Sequence, residues 1–366
     1  MEMKHTDREY LIGLNLIPQL TPKRIQKLFG RFETFEGIWN APASAFANLF
    51  GSRVLGEAIA SARSETAVDE EFAKAEDKAV NIVTLVDEEY PAALREIDDS
   101  PIVLYVRGEQ RIDSARSIAI VGTRRGTRYG KMVAARFASQ LALKGFIVVS
   151  GLAAGIDAAA HQGTLDVGGF TVAVMGCGID YPYPKRNQPI YERIVETGVV
   201  MSEYPMGSRP AKWTFPQRNR ILAGLSRGVL VIQAPERSGA LITARCALEQ
   251  GRDVFAVPGN INSLTSAGSN RLLKQGAKLV DSVDDIFEEY PDLQLAREDV
   301  PTEDTEPKLG ESEATVYELI GLEPVHMDDI IARADLSPTE ASHILLLLQL
   351  ENLIEEAEGG RYIRKL

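Results

Sequence analysis

From residue 117 the chain repeats one pattern six times: a short apolar, β-branched run, then a segment of helical length. The runs are "SIAIVG" (117–122), "FIVVSG" (146–151), "FTVAVMG" (170–176), "GVVMSE" (198–203), "GVLVIQA" (228–234) and "RDVFAVPG" (252–259). Their apolar residues are continuous rather than alternating, as in strands buried on both faces, and strands separated by helices lie parallel. The expected fold is α/β, an extended Rossmann-like and mostly parallel sheet. Ligands of such sheets lie beyond the carboxyl ends of the strands, so the loops that follow the runs are the expected site.

Those loops do not fit a dinucleotide. "VGTRRGTRYG" and "MGCGIDY" place glycine after a strand, but neither completes G-x-G-x-x-G, because Tyr181 stands where the third glycine belongs. Where a ribose-binding carboxylate would close the second strand, the chain has Ser150-Gly151. The loops still offer backbone N–H groups at helix N-termini, which suit any phosphate. Gly122, Ser150, Gly151, Ser238, Gly239 and Thr243 are the candidates of this kind, and Arg124, Arg125, Arg128, Lys185, Arg186, Asn187, Arg218, Asn219 and Arg220 stand in the same loops. That much positive charge exceeds the need of one pyrophosphate and suits a polyanion.

"FPQRNRILAGLS" (215–226) sets Arg218, Asn219 and Arg220 beside Ile221 and Leu222. After Phe215-Pro216 they are expected in the first turn of a helix, facing the strand-end cleft while the apolar pair packs on the sheet. Asp180 or Glu203 is the expected internal carboxylate should one of the arginines be braced rather than free. Trp213 and Phe215 are expected at the cleft edge, where they can stack on bases. Asp157 and Asp180 read as loop-holding groups and His161 as a core histidine, so no catalytic residue is assigned.

Charge divides the chain further. Residues 291–366 hold 18 of the 52 acids and 6 of the 40 bases, which accounts for the whole net charge of −12. Residues 121–230 carry 14 bases against 6 acids, a basic stripe. The expected organisation is a small helical N-terminal domain (1–78), the Rossmann-like domain (79–290), an acidic Pro-rich linker (291–312) and a winged-helix-like C-terminal domain (313–366). The last reads as three helices and a two-stranded wing. Its 11 acids against 4 bases argue for an accessory or protein-interaction role rather than direct DNA contact. Only Cys177 and Cys246 are present, without CxxC spacing, and the four histidines are scattered, so neither a disulfide framework nor a metal site is expected, nor a cofactor. No apolar run approaches the ~18 residues of a membrane span, and "MEMKHTDREY" lacks a secretory apolar core. A cytoplasmic protein is expected.

The segments "VGTRRGTRYG", "SGLAAGIDAAAHQGTL", "MGCGIDYPYPKRN", "SEYPMGSRPAKWTFPQRNRILAGLS", "RSGALITA" and "VFAVPGNI", in this order and spacing, resemble the DNA-processing protein A family (DprA, also called Smf). The resemblance covers about residues 80–290, beginning with "DEEYPAALREIDDSPIVLYVRG". It implies a non-enzymatic protein that binds single-stranded DNA, forms a homodimer and loads the RecA recombinase during natural transformation. One position departs: the family commonly has an acid where this chain has Gln233 in "VIQA". The competing readings are a nucleotide or nucleoside-phosphate hydrolase or transferase using the same glycine loops, with Asp157 or His161 at the chemistry, and a dimerisation scaffold.

Overall fold

A computed structural model describes residues 6–109, 112–291, 310–321, 324–350, 353–357 and 359–364. The chain divides into two compact units, Met1–Ala296 and Arg297–Leu366.

The first unit opens with six helices: α1 (Asp7–Asn15), α2 (Pro22–Phe32), α3 (Phe35–Asn40), α4 (Ala43–Phe50), α5 (Arg53–Ser61) and α6 (Glu65–Asp77). Five begin at a hydroxyl: Thr6, Thr21, Thr34, Ser52 and Ser64 each accept a hydrogen bond from a backbone N–H of the first turn. At α2 Pro22 follows its cap at the first helical position, as expected from the sequence.

The sheet has nine strands. β1 (Asn81–Thr84) and β2 (Val103–Gly108) flank the short helix α7 (Ala92–Arg95). Then β3 (Ser117–Val121), α8 (Arg128–Leu143), β4 (Ile147–Ser150), α9 (Ile156–Asp166), β5 (Thr171–Met175), α10 (Gln188–Thr197) and β6 (Val199–Ser202) follow. The unit ends with α11 (Thr214–Gly224), β7 (Gly228–Val231), α12 (Ala240–Glu249), β8 (Asp253–Ala256), α13 (Ala267–Lys274), β9 (Lys278–Leu279) and α14 (Asp284–Glu288). All six apolar runs are strands, in the order β1-β2-β6-β5-β4-β3-β7-β8-β9. Pairing is parallel from β6 to β9, whereas β2 runs antiparallel to both of its neighbours.

Alternation along β3 explains the double burial. Ile118 and Ile120 pack with Phe137, Leu141 and Phe287 on one face, and Ala119 and Val121 with Ile221, Leu222 and Ala244 on the other. At the far end of the sheet Ala173, Met175 and Val200 join a core with Tyr10, Leu14, Leu28 and Phe46 of the N-terminal helices. Residues 6–77 therefore share their core with the sheet. Between them Glu71, 1% exposed, accepts a 2.7 Å hydrogen bond from the Met206 N–H.

The second unit holds helices Glu311–Leu319, Met327–Ala334 and Pro338–Leu350 around a core of Val316, Ile320, Ile330, Leu345 and Leu348. The third helix starts at Ser337-Pro338 in a reciprocal cap, Ser337 N–H to Glu340 Oε2 and Glu340 N–H to Ser337 Oγ. The wing has three strands rather than two: Arg361–Arg364 pairs with Ile354–Ala357 and also with Val325–His326. Two residues are too short a strand to register as sequence periodicity. It is a winged helix.

Candidate nucleic-acid interface

The strand order reverses between β3 and β7, and a cleft of about 410 Å³ opens there, beyond the carboxyl ends of the strands. Four loops and helix ends line it: Gly122 to Arg125 after β3, Ala153 and Asp157 after β4, Lys212 to Asn219 at the start of α11, and Pro235 to Thr243 at the start of α12.

Glycine and one strained residue shape the β4 loop. A Cβ on Gly151 would lie 2.5 Å from Arg218 Nη2 and 2.7 Å from Asp157 Oδ2, so only glycine lets those groups approach the chain. Gly155 has φ +86, and a Cβ there would strike the Thr123 carbonyl at 2.4 Å. Between them Leu152 is left-handed at φ 52, a cost of about 1 kcal/mol for a side-chain residue. Asn187 holds it there, its Nδ2 donating to the Leu152 carbonyl at 2.9 Å and the Ala153 carbonyl at 3.1 Å.

Three consecutive residues of α11 point three ways, because successive helix positions diverge by ~100°. Arg218, 3% exposed, donates through Nη1 to the carbonyls of Gly151 and Val174 at the ends of β4 and β5, while its Nε has no partner among the described residues. Asn219 donates to the Gly239 carbonyl at 3.2 Å. Arg220 faces away from the cleft, paired with both oxygens of Glu203 at 2.9 and 2.6 Å and with Asp99 at 3.3 Å. The expectation that all three face a ligand from a first turn is corrected here. The helix starts at Thr214 with Pro216 inside its first turn, so "RNR" falls in the second turn: Arg218 and Asn219 line the cleft from buried positions, and Arg220 turns away from it. Glu203 is the internal carboxylate; Asp180 instead accepts from the Gly207 N–H.

Other candidates divide the same way. Arg124 and Arg125 are exposed on the rim, with the Arg124 guanidinium 4.9 Å from the centroid of the Phe215 ring. Ser238, Gly239 and Thr243 line the cleft where α12 begins, placing the positive end of that helix there. Ser150 is sealed inside, donating to the Ile120 carbonyl at 2.6 Å. Lys185 and Arg186 are exposed on a separate turn, and Arg128 is exposed at the start of α8; none of the three lines the cleft. Two exposed cations were missed, Lys212 and Arg237. Lys212 lies within the basic stripe, so its charge was visible and its direction was not. Aromatic rings extend the rim: Tyr183 lies 5.7 Å from Phe215, and Tyr204 meets Trp213 edge-on at 6.3 Å, Trp213 being 60% exposed.

Beneath this surface the polar groups are buried. Burial pushes the Asp157 carboxyl up, against the pull of the Arg218 guanidinium, and the Ala153 N–H donates to it at 3.3 Å. Burial holds His161 down at about 3, with the Arg218 charge adding to it, and Nδ1 meets Thr171 Oγ1 at 2.8 Å. His161 is 0% exposed and cannot reach a ligand in the cleft. Gln233 caps the turn before α8, accepting from the Thr127 N–H and hydroxyl at 3.1 Å each, hydrogen bonds that a carboxylate could also make. Among the described residues no cluster of three or more His, Cys, Asp or Glu could hold a metal ion, and no helix is long and apolar enough to cross a membrane.

The model of the family described as DNA recombination-mediator protein A matches residues 81–291, the sheet and the whole cleft. The chain belongs to that family. The DprA winged helix domain matches residues 300–360. Protein Smf of Synechocystis sp. is 34% identical over 99% of this chain and 100% of its own. The X-ray structure of DNA processing protein A from Streptococcus pneumoniae is 36% identical, covering 78% of this chain and 99% of that one with a TM-score of 0.66. A third relative, DNA processing protein A from Helicobacter pylori, was solved for its single-stranded DNA binding mode. It is 31% identical, covering 58% of this chain and 96% of that one with a TM-score of 0.53. The recombination-mediator family thus accounts for both units.

Proposed function

We propose that this recombination-mediator family member binds single-stranded DNA in the cleft between β3 and β7 and passes it to the RecA recombinase, without itself catalysing a reaction. We also propose that it works in the cytoplasm and as a homodimer. The cleft carries the reading: four exposed cations, Arg124, Arg125, Lys212 and Arg237, stand beside aromatic rings and a helix N-terminus, over a lining whose one carboxylate, Asp157, is buried. Cations with stacking surfaces fit a flexible strand whose phosphates and bases are both accessible. The burial of His161 and Asp157 supports a binding role over a hydrolytic one.

The test is a gel shift with labelled single strand, competed by duplex and by mononucleotide, across a salt series. Long single strands should compete best, affinity should fall steeply with salt, and no mononucleotide should be turned over. Preferential binding and turnover of a mononucleotide would falsify the proposal. RecA loading is read separately, as faster RecA filament growth on strands already covered by this protein.

A further inference from the structure

Helix α2 carries a charge pattern that the cleft does not use. Residues 10–32 contain four bases, Lys23, Arg24, Lys27 and Arg31, and no acid. Arg24 is turned inward: it donates to the Gln19 carbonyl at 2.6 Å and lies over the Phe50 ring at 5.6 Å. Lys23, Lys27 and Arg31 are all exposed at spacing i, i+4, i+8, one ridge with about 6 Å of rise per step. Ile25 and Leu28 are buried on the opposite side of the helix. Arg31 has no hydrogen bond or ion pair among the described residues, and Lys27 has only the Leu49 carbonyl at 3.4 Å and the Phe50 ring. Like charges at i, i+4 destabilise a helix. The exposed face of α5, by contrast, pairs Arg53 with Glu57.

The ridge is tied to α11 on the side that faces away from the cleft. Lys23 Nζ lies 3.9 Å from Asp99 Oδ2, which lies 3.3 Å from Arg220 Nε in α11, the helix whose start carries the exposed Trp213 and the half-buried Phe215. The Asn15 amide at the end of α1 donates to the Glu203 carbonyl, on the other partner of Arg220. The ridge and α11 are thus fixed to each other within one compact unit.

We propose that a single strand held in the cleft passes Trp213, rounds the start of α11 and reaches α2, where Lys23, Lys27 and Arg31 contact its phosphates. The inference rests on the single-strand reading of the cleft and adds a second segment to the footprint. The test compares the full chain with its K23A/K27A/R31A variant, using oligothymidylates of about 6 and about 30 nucleotides and a duplex of about 30 base pairs over a salt series. Alanine favours helix at all three positions, and R31A alone, which removes a group with no partner among the described residues, serves as a second variant. The expected result is unchanged affinity for the short strand and a loss of about tenfold for the long one. The salt slope on the long strand should fall by about 2, at ~0.7 per lost contact, and by about 0.7 for R31A. Unchanged long-strand binding, equal losses on both strands, or a larger loss on duplex overturns the inference and leaves the cleft reading standing. Wild-type protein that holds neither strand overturns both.

Discussion

Arg218 and Arg124 are both cations of the cleft, and they should fail in different ways. Arg218→Ala leaves the Gly151 and Val174 carbonyls without their donor, each worth about 1–3 kcal/mol when buried, so a lower melting temperature and weaker single-strand binding are expected together. Arg124→Ala removes an exposed group and should weaken binding at an unchanged melting temperature. Thermal melts run beside the gel shift separate the two; an Arg218→Ala protein that melts like wild type contradicts the bracing role. His161 adds a dependence on pH. It is held neutral in the fold, at about 3, while the unfolded chain takes up a proton below about 6.5, so the fold loses stability as pH falls from 6.5 toward 3. The loss amounts to about 2 kcal/mol by pH 5. Asp157 works in the opposite sense, since a raised carboxyl favours the fold at low pH and loses that advantage as pH rises. His161→Gln should therefore flatten the fall in melting temperature between pH 7 and pH 5, and an unchanged fall shows that another group governs it.

The β4 loop is the element whose shape most depends on a residue outside it. Asn187 stands 35 residues from Leu152, yet its amide closes on two carbonyls of the loop's strained turn. Asn187→Ala should cost about 1–3 kcal/mol and weaken single-strand binding, although Asn187 does not line the cleft. A neutral amide adds nothing to the salt slope, so weaker binding with an unchanged slope is expected; a slope lowered by about 0.7 or more would mean that the altered loop has withdrawn a cation from the strand. Strands were legible because double burial writes itself as unbroken apolar runs, and the site followed from where those runs end. The direction of "RNR" was not, since the start of α11 lies at Thr214 with no side-chain cap to announce it. Glu203 is one of two carboxylates expected to brace an arginine, though which arginine it pairs was not legible, and the turn of Asn187 toward β4 leaves no local trace because it joins residues 35 apart.

On the scale of the molecule, the acids concentrated in residues 291–366 oppose the phosphates that the basic stripe attracts. A chain ending at Tyr290 should bind single strands as well as the full chain or somewhat better, most visibly at low salt. A tenfold or greater loss would instead assign the winged helix a direct part in holding DNA. The core that residues 6–77 share with the sheet has a consequence in time. Glu71 leaves the ribosome 135 residues before the Met206 N–H that it accepts from, an interval of roughly 7–27 s at ordinary rates of synthesis. Until then the core of Tyr10, Leu14 and Leu28 has β1 and β2 but lacks the full complement of Ala173, Met175 and Val200, so the nascent chain carries an incompletely covered apolar surface while those 135 residues are made.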